Sequence, residues 1–179
     1  MKICTDQPIG ASAEEARAAL LDPGFYASLG ELHGISAPEV RLVPAGPGPA
    51  RIVLGYRFSG TLNGPARALL DPAKLTWSQV TEVDPATGRS LVSMVPDNYA
   101  GLLSFSGWYE LRDTGHGRCC QHFEADLLVR VPILGALAER AIANDILDNI
   151  ATTARLVERH VASRRAAERP GEGGPPRAR

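Results

Sequence analysis

The chain has 179 residues, 44% of them hydrophobic, and 19 basic against 20 acidic residues give it a net charge of −1. That length predicts one domain with a sizeable core, and the near-neutral charge argues against a nucleic-acid partner. No run approaches the roughly 18 apolar residues of a membrane span, so stable membrane insertion is not expected. An odd count of three cysteines and an N-terminus without a signal-peptide run indicate a cytoplasmic protein.

The N-terminal part of the chain predicts a short strand followed by two short helices. Residues 2–7 alternate weakly between apolar and polar side chains, as in a strand. Ser12 and Glu15 form the S-x-x-E capping box of a first helix that runs to about Leu21. A second short helix is expected over residues 25–32.

The middle of the chain predicts antiparallel strands. Residues 50–59 alternate most cleanly, and one face carries Ile52, Leu54, Tyr56 and Phe58. The same alternation predicts strands over 39–44, 74–83, 89–95, 102–112 and 118–131. Residues 64–72 interrupt this series and predict one or two helical turns.

Residues 132–163 predict one amphipathic helix of roughly thirty residues. At about 100° per residue, its branched apolar residues share one side: Ile142, Ile146, Ile150, Val157 and Val161. Asn149 and Thr153 interrupt this side, and buried polar groups need partners. A ligand space between helix and sheet would supply such partners.

The C-terminal segment differs in composition from the rest. Residues 163–179 hold five arginines, two glutamates and no aliphatic residue larger than alanine. Such a segment buries too little apolar surface to offset the entropy lost on ordering. We therefore predict a globular domain of residues 1–162 and a disordered tail of residues 163–179.

The order of these elements predicts an α+β fold with helices on one face of a curved antiparallel sheet of about six or seven strands. In this order, and in residues 11–23 (ASAEEARAALLDP) and 129–135 (VRVPILG), the chain resembles the START-like superfamily. This superfamily, also called SRPBCC, has a helix-grip fold and includes polyketide cyclases and lipid-transfer proteins. The second stretch looks most like a bacterial branch of polyketide-cyclase-like domains. The resemblance covers residues 1–162 and implies an apolar cavity between the sheet and the long helix.

Inward side chains of the strands and the long helix would line that cavity. The candidates are Tyr56, Phe58, Trp77, Gln79, Phe105, Tyr109, Gln121, Phe123, Ile146, Asn149 and Thr153. An apolar wall with a few hydroxyl and amide groups suits a hydrophobic or amphipathic small molecule, lipid-like or polyketide-like. Binding of such a molecule is the leading hypothesis. The alternatives are a cyclase or aromatase that folds its substrate into a near-attack geometry, and a protein-interaction or stress-response module without a ligand. The alternative to the cavity is a solid core in which Tyr56 and Tyr109 reach the rim.

No metal, cofactor or catalytic residue is predicted. Four metal-ligand types fall in one segment, as His116, Cys119, Cys120 and His122. Alternation places Cys120 and His122 on one face and Cys119 on the other, and His116 falls in a turn. These four residues therefore do not converge on a tetrahedral site. Ligand identity and oligomeric state do not follow from the sequence.

Overall fold

The alternating middle of the chain forms one antiparallel sheet in the computed structural model, which describes residues 1–42, 50–62, 64–84, 87–131 and 134–168. The strands are β1 (Lys2–Ile9), β2 (Glu39–Leu42), β3 (Ala50–Arg57), β4 (Thr76–Val83), β5 (Ser90–Pro96), β6 (Leu103–Gly115) and β7 (Arg118–Val129). They lie in the order β1-β7-β6-β5-β4-β3-β2. The first strand of the chain therefore pairs with the last.

Within the described ranges, three helices and two 3₁₀ segments complete the fold. They are α1 (Ala13–Leu20), α2 (Gly64–Leu69) and α3 (Gly135–Glu168), with 3₁₀ segments at Pro23–Glu31 and Pro72–Lys74. The predicted class, a curved antiparallel sheet with short helices and a long C-terminal helix, is confirmed. The second predicted helix forms as the 3₁₀ segment Pro23–Glu31, whose start is capped by the Asp22 carboxylate.

The capping box predicted for α1 is present. The Ser12 hydroxyl accepts from the Glu15 backbone nitrogen at 3.3 Å, and the Ser12 backbone nitrogen donates to the Glu15 carboxylate at 3.0 Å. Asp113 of β6 adds an acceptor for the Ala13 backbone nitrogen at 2.8 Å. These contacts satisfy free amides at the helix start and attach it to the sheet.

The long helix α3 differs from its prediction at both ends. It begins at Gly135, and residues 132–133 lie outside the described ranges. At its other end it continues to Glu168, so the prediction that residues 163–168 are disordered is wrong. Arg165 explains the extension, because its guanidinium donates two hydrogen bonds to Glu15, at 2.8 and 2.6 Å. The rest of the predicted tail, residues 169–179, lies outside the described residues.

The start of α3 is held against the end of β7. Glu139 accepts a hydrogen bond from the Val129 backbone nitrogen at 3.0 Å. A Cβ atom at Gly135 would come within 2.6 Å of the Val129 carbonyl oxygen, so glycine permits this close approach. No helix within the described ranges combines the length and apolar character needed to cross a membrane.

The buried apolar residues form two clusters rather than one. The first joins α1, the Pro23–Glu31 segment, β3 and the C-terminal half of α3, and its most buried members include Phe25, Leu156 and Val157. The second joins β5, β6, β7 and the N-terminal half of α3, and it includes Phe105 and Leu127. The helix therefore crosses from one cluster to the other along its length.

Candidate functional site

Cross-strand pairing shows which predicted side chains share a face, because paired residues of antiparallel strands point the same way. We call the face that α3 packs on the helix-covered face. Its pairs are Tyr56–Trp77, Leu54–Gln79, Gln79–Met94, Met94–Phe105, Phe105–Leu127, Tyr109–Phe123 and Leu111–Gln121. The register thus brings seven of the predicted residues to one face: Tyr56, Trp77, Gln79, Phe105, Tyr109, Gln121 and Phe123.

The facing apolar surfaces in the middle of this layer are only half-buried. On α3 these residues are Ile142, Ile146, Leu147 and Ile150, and on the sheet they are Met94, Leu103 and Tyr109. Later on the same helix, Leu156 and Val157 are almost fully buried against the first cluster. Both sets of residues pack against the second cluster without being fully buried themselves.

Gln121 and Tyr56 carry two nearly buried polar groups on the helix-covered face. Gln121 is 8% exposed and Tyr56 is 4% exposed. Neither the Gln121 amide nor the Tyr56 hydroxyl has a hydrogen-bond partner among the described residues. In that part of the chain, every side-chain nitrogen or oxygen that is cut off from solvent does have one. The polar atoms of these two groups are therefore not completely cut off from solvent.

The tyrosines of this face remain protonated hydrogen-bond donors at neutral pH. Burial raises the pKa of Tyr109, and the nearby Ser90 hydroxyl and Arg17 charge oppose that shift. Burial raises the pKa of Tyr56 as well, and its ring stacks on Trp77 with 6.0 Å between the ring centres. A neutral phenol in an apolar wall can donate to a carbonyl or carboxylate oxygen.

Asn149 does not have the environment that its position in the helix predicted. Its Oδ1 accepts from the His33 backbone nitrogen at 2.8 Å, and its Nδ2 donates to the His33 carbonyl oxygen at 3.1 Å. The amide therefore has protein partners, and the expectation that a ligand or water satisfies it is wrong. These two bonds hold the loop after the Pro23–Glu31 segment against α3.

Thr153 and Phe58 are the two remaining candidates. Thr153 is half-buried one turn before Val157, on the part of α3 that packs on the first cluster. Phe58 lies just beyond β3, where its backbone nitrogen donates to Leu75, and its ring lies against Gly60.

Arg17 carries a charge near Tyr109 and was not among the predicted site residues. It projects from α1 towards the turn between β4 and β5, where a Cβ at Gly88 would lie 3.3 Å from its guanidinium. Within the described ranges Arg17 has no carboxylate partner, and its charge acts on Tyr109 and Cys119. No sequence pattern identifies it, because its position depends on how α1 docks on the sheet.

The opposite face of the sheet, which we call the open face, carries a second group of polar side chains. Across β1 and β7, Cys4 pairs with Glu124 and Asp6 pairs with His122. The Cys4 thiol, a His122 ring nitrogen and a Glu124 oxygen all lie within 4.8 Å of one another. Trp108 of β6 lies beside them, with its ring centre 5.3 Å from that of His122.

Among the described residues, two surface depressions are found, and neither is lined by both the sheet and α3. One, of about 480 Å³, is on the open face and borders Cys4, Trp108 and Glu124. The other, of about 590 Å³, runs along α3 beside the ion pair between Glu31 and Arg159.

A family model described as "Protein of unknown function (DUF2505)" matches residues 5–161. Among curated proteins, none matches the sequence.

Solved structures resemble the chain over nearly its whole length. The Zhui aromatase/cyclase from Streptomyces sp. R1128 has a TM-score of 0.64 and 18% identity, over 94% of this chain and 98% of that one. Norcoclaurine synthase from Thalictrum flavum has a TM-score of 0.62 and 17% identity, over 92% and 96%. A START superfamily protein from Mycobacterium smegmatis has a TM-score of 0.53 and 13% identity, over 90% and 97%. The chain therefore has a START-like fold.

Proposed function

Because this chain belongs to the DUF2505 family and has a START-like fold, we propose that it binds an apolar or amphipathic small molecule between the helix-covered face and α3. The half-buried residues on both sides of that space support the proposal. Ile146 and Ile150 would contact the ligand from the helix, and Met94 and Tyr109 would contact it from the sheet. Burial of these surfaces would supply most of the affinity.

The observation that carries the proposal is that the Gln121 amide and the Tyr56 hydroxyl have no hydrogen-bond partner among the described residues. A solid core would leave their polar atoms unpaired, at a cost of about 1–3 kcal/mol for each group. An accessible space removes that cost, because water solvates both groups in the free protein. In the complex, a polar atom of the ligand would replace the water and fix the orientation of the ligand.

The charge near the space favours a ligand with an acidic or oxygen-rich end. Arg17 has no described carboxylate partner and acts on the Tyr109 hydroxyl. A carboxylate or enolate oxygen placed near Tyr109 would gain both a hydrogen bond and a favourable charge interaction. A lipid-like or polyketide-like molecule with one such end fits this arrangement.

A second candidate function is a ring-forming enzyme that uses the same space. The observation in its favour is that Tyr56 and Tyr109 are neutral donors on an apolar wall. Such donors would hold a flexible substrate in a reactive geometry and stabilise negative charge that develops on a carbonyl oxygen. The named similarity to an aromatase/cyclase supports testing this candidate, although a fold alone does not establish an activity.

Titration with the neutral fluorescent probe N-phenylnaphthylamine tests the binding proposal. The variant Ile146→Trp fills the space from the helix side, and we expect it to weaken probe binding at least about tenfold, or 1.4 kcal/mol. The matched control is Leu137→Trp, which adds the same bulk to the same helix at a position that is 58% exposed. Equal probe affinity in the two variants would contradict binding beneath α3.

The variant Tyr109→Phe separates the two candidate functions. If the protein only binds, the variant retains the neutral probe and loses affinity for an oxygen-bearing ligand. If the protein is an enzyme, incubation with a poly-β-ketone chain yields a cyclised product by mass spectrometry, and Tyr109→Phe abolishes that product while the probe still binds.

A further inference from the structure

We propose that the open face holds a site for one zinc ion, with the Cys4 thiolate, the His122 imidazole and the Glu124 carboxylate as its ligands. The sheet separates this site from the space beneath α3, so the inference does not rest on the proposed function. Two of the three proposed ligands, Cys4 and Glu124, lie outside residues 116–122, the segment in which the sequence places several potential metal ligands.

The register of β1 against β7 brings the three ligands together. Cys4 pairs directly with Glu124, and His122 precedes Glu124 by two residues, so all three side chains point to the open face. One His122 nitrogen, Nε2, lies 3.1 Å from Glu124 Oε1. The three ligand atoms lie within 4.8 Å of one another, and zinc bonds of about 2.0–2.3 Å require only small side-chain rotations to close on one ion.

Asp6 supplies the contact that a zinc-bound histidine needs on its second nitrogen. His122 Nδ1 lies 2.7 Å from Asp6 Oδ1. A carboxylate that accepts from Nδ1–H leaves the Nε2 lone pair directed at the metal and fixes the plane of the ring. The arrangement Asp6–His122–metal is therefore already oriented, and Nε2 is the nitrogen that faces Glu124.

The donor set selects the kind of metal. One sulfur, one nitrogen and one carboxylate oxygen suit Zn²⁺, whereas Mg²⁺ and Ca²⁺ prefer oxygen ligands throughout. Zinc binding deprotonates the Cys4 thiol, and that proton passes to the solvent. Three protein ligands leave a fourth position for water, and the depression of about 480 Å³ that borders Cys4 and Glu124 gives solvent access to it.

Metal titration of the full chain without an affinity tag tests the site, in the presence of a reductant that is not a thiol. We expect one Zn²⁺ per chain by calorimetry, and one Co²⁺ with a sulfur-to-cobalt charge-transfer band in the near ultraviolet. Cys4→Ser should remove that band, and both Cys4→Ser and His122→Gln should weaken zinc binding at least about tenfold. Asp6→Asn should keep the band and weaken binding by about 10–100-fold, because it only orients the histidine.

The matched control is Cys120→Ser. Cys120 lies on the same strand and the same face as His122, but it pairs with Pro8, four residues along β1 from Cys4. This variant should bind zinc like the wild type, and thermal melts should show that all four variants fold. Three results would overturn the proposal: no saturable zinc binding, equal losses in Cys4→Ser and Cys120→Ser, or an unchanged affinity in His122→Gln. The first of these results would leave His122 in contact with Asp6 and Glu124 alone, with no metal.

Discussion

Replacing Gln121 with leucine should leave the free energy of unfolding within about 1 kcal/mol of the wild-type value, or raise it slightly. The Gln121 amide makes no described hydrogen bond, so leucine removes no protein interaction. It also removes a polar group from a mainly apolar wall. The matched comparison is Asn149→Leu, which removes an amide of similar chemistry from α3 but breaks both hydrogen bonds to His33.

The difference between the two variants can be worked from these contacts. Each hydrogen bond contributes about 0.5–1.5 kcal/mol, so Asn149→Leu should lose about 1–3 kcal/mol. For a chain of about 150–250 residues, each kcal/mol lowers Tm by about 2–4 °C. A loss of about 2 kcal/mol therefore lowers Tm by about 4–8 °C in Asn149→Leu, whereas Gln121→Leu should melt within about 4 °C of the wild type.

Thermal melts and ligand titrations on the same two variants provide the test. Gln121→Leu should bind N-phenylnaphthylamine as the wild type does, but it should bind dodecanol about tenfold more weakly, because the amide no longer meets the hydroxyl. If Gln121→Leu loses as much stability as Asn149→Leu, the Gln121 amide has a protein partner. The proposal that Gln121 borders a space open to water or ligand would then be refuted.

Further predictions concern α3 and its attachments. Leu156→Ala should cost about 2–5 kcal/mol, because Leu156 is 2% exposed. Ile146→Ala should cost less than half of that in a denaturant titration, because Ile146 is only partly buried. Hydrogen bonds from Arg165 lower the pKa of Glu15 from 4.5 to about 2. The stabilisation of the folded state by these hydrogen bonds is present above about pH 4.5 and is lost as the pH falls towards 2. Arg165→Gln should therefore lower the free energy of unfolding by about 1 kcal/mol at neutral pH, a value reduced because the ion pair is exposed to solvent. Denaturant titrations should show that this difference from the wild type shrinks as the pH falls from about 4.5 towards 2. Deleting residues 169–179 should leave Tm within about one degree, and a longer deletion that also removes Arg165 should lower it measurably.

The sequence predicted the parts of this fold that depend on local periodicity. Alternation identified the strands and the faces of β3 and β7, and the S-x-x-E pattern identified the start of α1. These features are local, since a strand face repeats every two residues and a capping box spans one helical turn. The structure confirms the resulting class, and the register then collects the predicted aromatic residues on one face.

The end of α3 and the role of Asn149 were not predictable in the same way. The predicted end of the helix was placed where its large aliphatic residues stop. The arginines, alanines and glutamate of residues 164–168 are, however, good helix formers. What extends the helix is an ion pair to Glu15, and that partner lies on α1. The partner of Asn149 could not be predicted for the same reason, because it is the backbone of His33 in a distant loop. A helical pattern reports which side of a helix is apolar, but not which distant loop meets it.

The open-face residues illustrate this limit most clearly. Alternation along β7 puts His122 and Glu124 on the face opposite Phe123, and on that strand alone both side chains would be solvated. They become candidate metal ligands only when β1 pairs with β7, because that pairing places Cys4 beside Glu124 and Asp6 beside His122. The two strands lie at opposite ends of the sheet-forming sequence, and a shift of one residue in their register would turn these side chains to the other face. A test of the zinc site is therefore also a test of that register.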